Sequence, residues 1–179
     1  MLTLLLGGAR SGKSALAVRL AAAAPAPVVV IATAEGLDGE MAARIDRHRT
    51  ERPAGWRTIE EPLALESALG QAPDGATVIL DCLTMWTSNM LAVHPAHEVR
   101  ERAGTAALAA AARPGLTLAI SNEVGMGIVP DNELARAYRD LLGHVNARWA
   151  AVADSAHLLV AGRLLSLEPA EPLVREAGR

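Results

Sequence analysis

Near its amino terminus the chain carries the pattern of a phosphate-binding loop. The run Gly7-Gly8-Ala9-Arg10-Ser11-Gly12-Lys13-Ser14 fits G-x-x-x-x-G-K-[ST] in full. An apolar run, Leu2–Leu6, precedes the loop and an alanine-rich stretch follows it, so the loop is predicted to join a strand to a helix. Its glycines let backbone N–H groups turn inward toward phosphate oxygens, and the helix adds its positive amino-terminal end. The pattern therefore predicts nucleotide binding by an α/β fold.

Three side chains have predicted roles around a bound nucleotide. Lys13 is a compact ammonium that reaches the β- and γ-phosphates, and the Ser14 hydroxyl is a ligand for Mg²⁺. The basic residues number 17, and sixteen are arginine, so the one lysine stands where a planar guanidinium would fit badly. Asp81 ends the apolar run 78–80 and is predicted to bring a carboxylate to the same Mg²⁺.

The rest of the chain alternates short apolar runs with longer alanine-rich stretches, which is typical of βαβ units. The predicted strands are Leu2–Leu6, Val28–Thr33, Arg57–Glu60, Thr77–Asp81, Leu116–Ser121 and Leu158–Ala161, with Leu164–Leu167 as an antiparallel edge strand. The predicted helices are Lys13–Ala24, Asp38–Glu51, Pro62–Leu69, Met85–Val93, Glu98–Ala112 and Glu133–Ala153. We expect a mostly parallel sheet with helices on both faces, in a single catalytic domain over 1–167 with a loose tail over 168–179.

Composition excludes several classes of protein. The formal net charge is −3 and the sequence pI about 5.9, which argues against a protein that binds nucleic acid by its charge. No uninterrupted apolar segment reaches the length of a membrane span, so we expect no stable membrane insertion. Cys82 is the single cysteine, which makes a reducing cytoplasm the default location.

A second group of basic residues lies on the predicted helix over 38–51. Arg44, His48 and Arg52 are spaced by four, which places two guanidinium groups beside one imidazole. Such a cluster attracts a polyphosphate, and repulsion by like charges favours the neutral, nucleophilic imidazole, which can attack phosphorus. The alternative is an ordinary solvated helix face with an ion pair between Glu40 and Arg44.

These motifs together resemble one enzyme family over most of the chain, from about Leu4 to Gly162. The residues that carry the resemblance are the loop 7–14, Met41-Ala42-Ala43-Arg44-Ile45, His48-Arg49, Arg52-Pro53, Trp56-Arg57-Thr58, Glu60 and Asn122-Glu123-Val124-Gly125-Met126-Gly127-Ile128-Val129-Pro130. The family is the bifunctional adenosylcobinamide kinase/adenosylcobinamide-phosphate guanylyltransferase of cobalamin biosynthesis.

The resemblance implies a P-loop NTPase fold of RecA-like type, assembly as homotrimers, and a two-step reaction. A nucleoside triphosphate, ATP or GTP, phosphorylates the aminopropanol hydroxyl of adenosylcobinamide. GMP is then transferred from GTP to that phosphate through a GMP-histidine intermediate, giving adenosylcobinamide-GDP and pyrophosphate. His48 matches the guanylylated histidine, and Lys13 serves the kinase step. The nucleotide contacts that carry over are Gly7, Gly8, Ala9, Arg10, Ser11, Gly12, Lys13, Ser14, Thr33, Ala34, Glu35, Arg49, Thr50, Glu51, Arg52, Glu60 and Asp81.

Three other readings stay open from sequence. A small-molecule kinase would need the phosphate loop but not His48, a RecA-like regulatory ATPase would work through conformational change, and a nucleotide-binding module would have no activity. The run 122–130 follows a predicted strand and should face nucleotide or corrinoid at the carboxyl edge of the sheet, with no role assigned to Glu123. The rings available to stack on guanine are Trp56, Trp86, Tyr138 and Trp149.

Overall fold

A computed structural model describes residues 1–24, 27–36, 39, 43, 49–50 and 52–170. The strands in this part of the chain are β1 (Leu2–Gly7), β2 (Val28–Ala32), β3 (Arg57–Glu60), β4 (Thr77–Asp81), β5 (Thr117–Ile120), β6 (Ser155–Val160) and β7 (Arg163–Leu167). The helices are α1 (Lys13–Ala23), α2 (Leu65–Gln71), α3 (Leu83–Val93), α4 (Ala96–Ala112) and α5 (Glu133–Val152). Strands and helices alternate over most of this length, as the sequence predicts.

The strands form one seven-stranded sheet in the order β3-β2-β4-β5-β1-β6-β7. Every pairing is parallel except that of β7, which runs antiparallel to β6 at the edge of the sheet. The predictions of a mostly parallel sheet and of an antiparallel edge strand are both confirmed. Strand β5 lies between β1, which leads into the phosphate loop, and β4, which ends in Asp81.

Helices cover both faces of the sheet, which is why its inner strands are continuous apolar runs. On one face, Leu4 of β1 belongs to a core that includes Trp86 of α3 and Trp149 of α5. On the other face, Leu5 of β1 belongs to a second core with Ala17 of α1. All six residues of β1 are buried, so the strand that carries the phosphate loop is fixed from both sides.

Several element boundaries differ from the predictions by a few residues. β6 begins at Ser155 rather than Leu158, because the polar residues at its start bond to β1. The backbone N–H of Leu2 donates to Asp154 Oδ2 (2.6 Å), and the hydroxyls of Thr3 and Ser155 lie 3.0 Å apart. α2 begins at Leu65 rather than Pro62. Before it, the Glu61 carboxylate accepts the N–H groups of residues 63 and 64, which forms a turn instead of a helix.

Two other predictions fall largely outside the described residues. The helix predicted over 38–51 is described only at residues 39, 43, 49 and 50, which are helical. The tail over 168–179 is described only to residue 170, where its side chains are exposed. The boundary of the catalytic domain at 167 therefore stays a prediction.

Candidate active site

The predicted nucleotide ligands gather at one edge of the sheet because parallel strands end on the same side. β1, β4 and β5 are neighbours, so the phosphate loop, Asp81 and the segment after Ile120 leave the sheet side by side. In open α/β sheets this carboxyl edge is where ligands bind.

The phosphate loop has a backbone that only glycine adopts easily at two of its positions. Gly7 has φ 150° and Gly12, at the start of α1, has φ 102°, while Arg10 between them has φ 57°. A Cβ on Gly7 would lie 2.4 Å from the carbonyl oxygen of Leu159 in β6 and 2.8 Å from Ser11 Oγ. The glycine at position 7 is therefore required both by its backbone angle and by close packing against the neighbouring strand.

The Lys13 side chain folds back into the loop and is only 6% exposed. Its ammonium donates to the carbonyl oxygens of Gly7 and Gly8, at 2.8 Å each, and to Ser11 Oγ at 3.3 Å. Three oxygens thus compensate for the burial of the charge. The ammonium is held at the centre of the loop, where the predicted phosphates would bind.

Two arginines from the segment before β3 contact carboxylates at the same sheet edge. Arg52 pairs with Asp81 at 3.3 Å, and both side chains are largely buried. Arg49 pairs with Glu60 at the end of β3. The structure therefore brings together four residues that the family resemblance assigned to the nucleotide, although no sequence pattern indicated which would pair.

The predicted contacts after β2 have different environments. Thr33 is fully buried, and its hydroxyl donates to the Cys82 carbonyl (2.7 Å) and accepts the Cys82 N–H (2.8 Å). Ala34 is half-buried and Glu35 is exposed. The Thr33 hydroxyl therefore fastens the end of β2 to the end of β4, while Ala34 and Glu35 are the members of this stretch that a ligand can reach.

A cavity of about 1000 Å³ beside α1 is lined by Gly12, Ser14, Arg52 and Asp81 of the predicted site, together with apolar residues of α1 and the sheet. The Ser14 hydroxyl and the Asp81 carboxylate offer the hard oxygen ligands that Mg²⁺ prefers. The described residues contain no cluster of three or more His, Cys, Asp or Glu side chains. Magnesium in nucleotide sites is held by one or two carboxylates plus phosphates, so this donor set fits the ion.

The cysteine at the end of β4 is not a nucleophile. Burial, aided by the neighbouring Asp81 carboxylate, raises the pKa of the Cys82 thiol to about 11. The thiol is neutral at physiological pH, and a neutral thiol is a poor nucleophile.

The run 122–130 rests on a polar network that sequence reasoning missed. Ser121 Oγ donates to Asn146 Oδ1 (2.6 Å), and Asn146 Nδ2 donates to the Asn122 carbonyl (3.0 Å). The Asn122 N–H donates to Thr84 Oγ1 (2.8 Å), and the Tyr138 hydroxyl donates to the Thr84 carbonyl (3.0 Å). These residues come from α3 and α5, far apart in sequence, and no local pattern marks them.

Burial removes two of the rings proposed for stacking on guanine. Trp86 and Trp149 are completely buried in the core, so they are unavailable to a ligand. Trp56 and Tyr138 remain partly exposed. The pKa of the Tyr138 phenol is raised to about 12, first by burial and second by the nearby Cys82.

The remaining residues predicted to contact the nucleotide differ in whether the structure describes them and in whether they are exposed. His48 and Glu51 lie outside the described residues, and Thr50 is described and exposed. In the loop itself, Gly8, Ala9 and Arg10 are exposed and Ser11 is buried.

Among the helices that the structure describes, none has both the length and the apolar character needed to cross a membrane.

Comparison with known proteins matches residues 3–167 to the family model described as cobinamide kinase / cobinamide phosphate guanyltransferase. A bifunctional adenosylcobalamin biosynthesis protein of Pseudomonas aeruginosa is 43% identical over 97% of this chain and 100% of its own length. Proteins of the same description from Salmonella typhimurium and Escherichia coli are 44% and 39% identical, each over 90% of this chain and 97% of its own length.

Two solved structures share the fold at much lower identity. A protein from Pyrococcus horikoshii OT3 has a TM-score of 0.57 at 8% identity, covering 92% of this chain and 84% of its own. An ATPase from a bacterial type III secretion system has a TM-score of 0.56 at 13% identity, covering 98% of this chain and 53% of its own. The fold is thus of the P-loop ATPase type, and the chain belongs to the cobinamide kinase / cobinamide phosphate guanyltransferase family.

Proposed function

We propose that this chain phosphorylates the aminopropanol hydroxyl of adenosylcobinamide and then transfers GMP from GTP to the new phosphate, both at the carboxyl edge of its sheet. The observation that carries the proposal is the buried Lys13 ammonium in a complete phosphate loop, in a chain that matches the family over residues 3–167. Both steps transfer a phosphorus-centred group, so both need a site that neutralises phosphate charge and aligns the reactants.

In the kinase step, the substrate hydroxyl oxygen attacks the γ-phosphorus, the bond to the β–γ bridging oxygen breaks, and a nucleoside diphosphate leaves. Backbone N–H groups of the loop and the Lys13 ammonium stabilise the charge on the transferring group. Ser14 and Asp81 would hold Mg²⁺, which neutralises phosphate charge when bound. Arg52 pairs with Asp81, which supports a role for its guanidinium at the same phosphates.

In the guanylyltransferase step, we propose His48 as the nucleophile. An imidazole nitrogen attacks the α-phosphorus of GTP and pyrophosphate leaves, giving a GMP-histidine. A phosphate oxygen of adenosylcobinamide phosphate then attacks the same phosphorus, and the imidazole leaves. Arg49 and Arg52 follow position 48 in sequence and pair with Glu60 and Asp81 of the site, which supports this role for His48.

We also propose that the chain assembles as a trimer in the cytoplasm. β7 is a short edge strand whose residues are all exposed, and three of its five are leucines. An exposed apolar edge strand is a feature that proteins usually cover. Light scattering on the purified protein would give three chain masses if the proposal holds. A monomer that is fully active would contradict it.

The deciding experiment incubates the protein with Mg²⁺ and GTP labelled at the α-phosphate. We expect a protein-bound label that is labile in acid and stable in base, as a phosphoramidate is, and that His48→Ala abolishes. His144→Ala is the matched control, because His144 is exposed on α5 and, among the described residues, hydrogen-bonds within its own helix. Kinase activity with no label on the wild-type protein would leave a kinase without the transferase step.

A further inference from the structure

We propose that Glu123 is the general base of the kinase step, accepting the proton of the substrate hydroxyl as its oxygen attacks the γ-phosphorus. The inference rests on the proposed kinase step, for which the sequence motifs supply no base. Five observations carry it: the place of Glu123 in the sheet, its link to the phosphate loop, the anchoring of the residues before it, the state of its carboxylate, and the surface beside it.

Glu123 follows β5, the strand that lies next to the phosphate-loop strand β1. Its backbone N–H donates to the Gly7 carbonyl at 3.1 Å, and the same carbonyl accepts the Lys13 ammonium at 2.8 Å. Glu123 and the lysine that reaches the β- and γ-phosphates therefore share one acceptor atom. The Glu123 backbone therefore lies beside the lysine that, in the proposed kinase step, stabilises the transferring phosphoryl group.

The start of the run 122–130 is held rigidly. A general base must be held in this way to stay aligned with the attacking hydroxyl. Ser121 and Asn122, directly before Glu123, are bound by the buried Asn146. The Asn122 N–H is bound by Thr84 Oγ1. Glu123 is thus fixed by its own backbone bond to Gly7 and by the network under the two preceding residues.

The Glu123 carboxylate has no cationic partner in the part of the chain that the structure describes. Its one hydrogen bond among the described residues is from the Gly125 N–H, at 2.6 Å, and it forms no ion pair there. The other carboxylates that end strands of this edge are paired, Asp81 with Arg52 and Glu60 with Arg49. A base must be free to accept a proton, so Glu123 suits the role better than either paired acid.

The surface next to Glu123 suits the phosphoryl acceptor, the corrinoid substrate, rather than a nucleotide. Glu123 is the only charged residue of the run 122–130, which has no cation to bind phosphate. Met126, Ile128 and Val129 are 77%, 97% and 62% exposed. This apolar surface fits the ring system of a corrinoid, and it would bring the substrate hydroxyl to the side of the loop where Glu123 lies.

The step balances without another reactant. The hydroxyl proton passes to a Glu123 oxygen, the hydroxyl oxygen forms the new bond to phosphorus, and the electron pair of the broken bond leaves with the nucleoside diphosphate. The carboxyl group then returns its proton to solvent. No such proton is removed in the guanylyltransferase step, where the attacking group is an ionised phosphate.

The test separates the two steps with Glu123→Gln, whose amide oxygen still accepts the Gly125 N–H. We expect turnover of cobinamide phosphorylation to fall by about 10²–10⁴-fold, as for loss of a general base. Labelling by α-labelled GTP and GMP transfer to preformed adenosylcobinamide phosphate should stay at the wild-type rate. Glu133→Gln is the control, because Glu133 is an exposed acid in the first turn of α5.

A second variant moves the carboxylate without changing its chemistry. A Cβ on residue 125 would lie 2.9 Å from Glu123 Oε1, so Gly125→Ala should displace that oxygen and slow phosphorylation, but not GMP-histidine formation. Wild-type phosphorylation in Glu123→Gln would overturn the inference, and so would an equal loss of both steps. A wild-type protein that does not phosphorylate cobinamide at all would instead refute the proposed function, and this inference with it.

Discussion

Two loops leave neighbouring strands at the same edge of the sheet and are built in opposite ways. The conformation of the phosphate loop after β1 is set largely by residues within it: glycine angles, a buried lysine and the start of α1 all lie within 7–14. The run 122–130 after β5 is fixed by side chains from α3 and α5 and ends in an exposed apolar tip. Backbone N–H groups can hold the phosphates of any nucleotide, whereas a particular phosphoryl acceptor needs a surface that fits it.

Apart from that of Glu123→Gln, the largest effect should come from the phosphate loop. Lys13→Ala removes the ammonium that stabilises the transferring group, so phosphorylation of cobinamide should fall on the order of 10²–10³-fold. Lys13→Arg should be nearly as inactive, because a planar guanidinium cannot take the place of a compact ammonium inside the loop. The rates are measured by transfer of labelled γ-phosphate to cobinamide. Arg100→Ala, at an exposed position of α4, is the control, and a normal rate in Lys13→Ala would remove the loop from the mechanism.

The next effect tests how exactly the backbone of this loop is specified. Gly7→Ala places a Cβ 2.4 Å from the Leu159 carbonyl oxygen at a positive φ, so strain of about 1–3 kcal/mol and a lower melting temperature are expected. Gly8→Ala is the matched control, since a Cβ there has nothing within 4 Å. Equal melting temperatures for the two variants would contradict the close packing of β1 against β6.

The second loop should instead depend on a residue remote in sequence. Asn146→Ala leaves Ser121 Oγ and the Asn122 carbonyl without their buried partner, which should lower the free energy of unfolding by about 1–3 kcal/mol. It should also slow phosphorylation more than GMP-histidine formation. Urea denaturation and the two rate assays measure these effects. Thr105→Ala, at an exposed site of α4, should leave both quantities unchanged. A variant with wild-type stability would show that the network does not support the loop.

The smallest effect concerns the outer member of that network. Tyr138→Phe removes one hydrogen bond to the Thr84 carbonyl and should lower the free energy of unfolding by about 1 kcal/mol.

Tyr138 is the only tyrosine of the chain, so its ionisation can be followed by absorbance. Its pKa is raised from 10.0 to about 12 in the folded protein. Its contribution to stability is therefore complete below pH 10 and is lost as the pH rises toward 12. A native phenol that titrates near 10 would contradict its burial.

Much of the fold could be predicted because its signals are local. Apolar runs predict the parallel strands, and the run Leu164–Leu167 predicts the edge strand that pairs antiparallel with β6. The start of β6 was missed because Ser155 and Ala156 are a weak apolar signal, and only their pairing with β1 makes them a strand. Register of that kind depends on a partner more than a hundred residues away in sequence.

The candidate site divides in the same way. Lys13, Ser14 and Asp81 were predicted from motif and strand context, and the structure places them at one edge. The pairing of Arg52 with Asp81, the anchoring role of Asn146 and the burial of Trp86 and Trp149 were not predicted. Each of these depends on which elements become neighbours, and spacing along the chain does not contain that information.

The sequence alone determined the phosphate loop, the βαβ alternation and the family, because each is recorded in residues close together or in fixed order. The tertiary structure decided which carboxylates are neutralised by arginine, which rings are buried and which acid stands beside the phosphate loop. The physical reason is that strand order, rather than strand sequence, sets neighbours across a sheet. It places β5, with Glu123 after it, next to β1, although more than a hundred residues separate them.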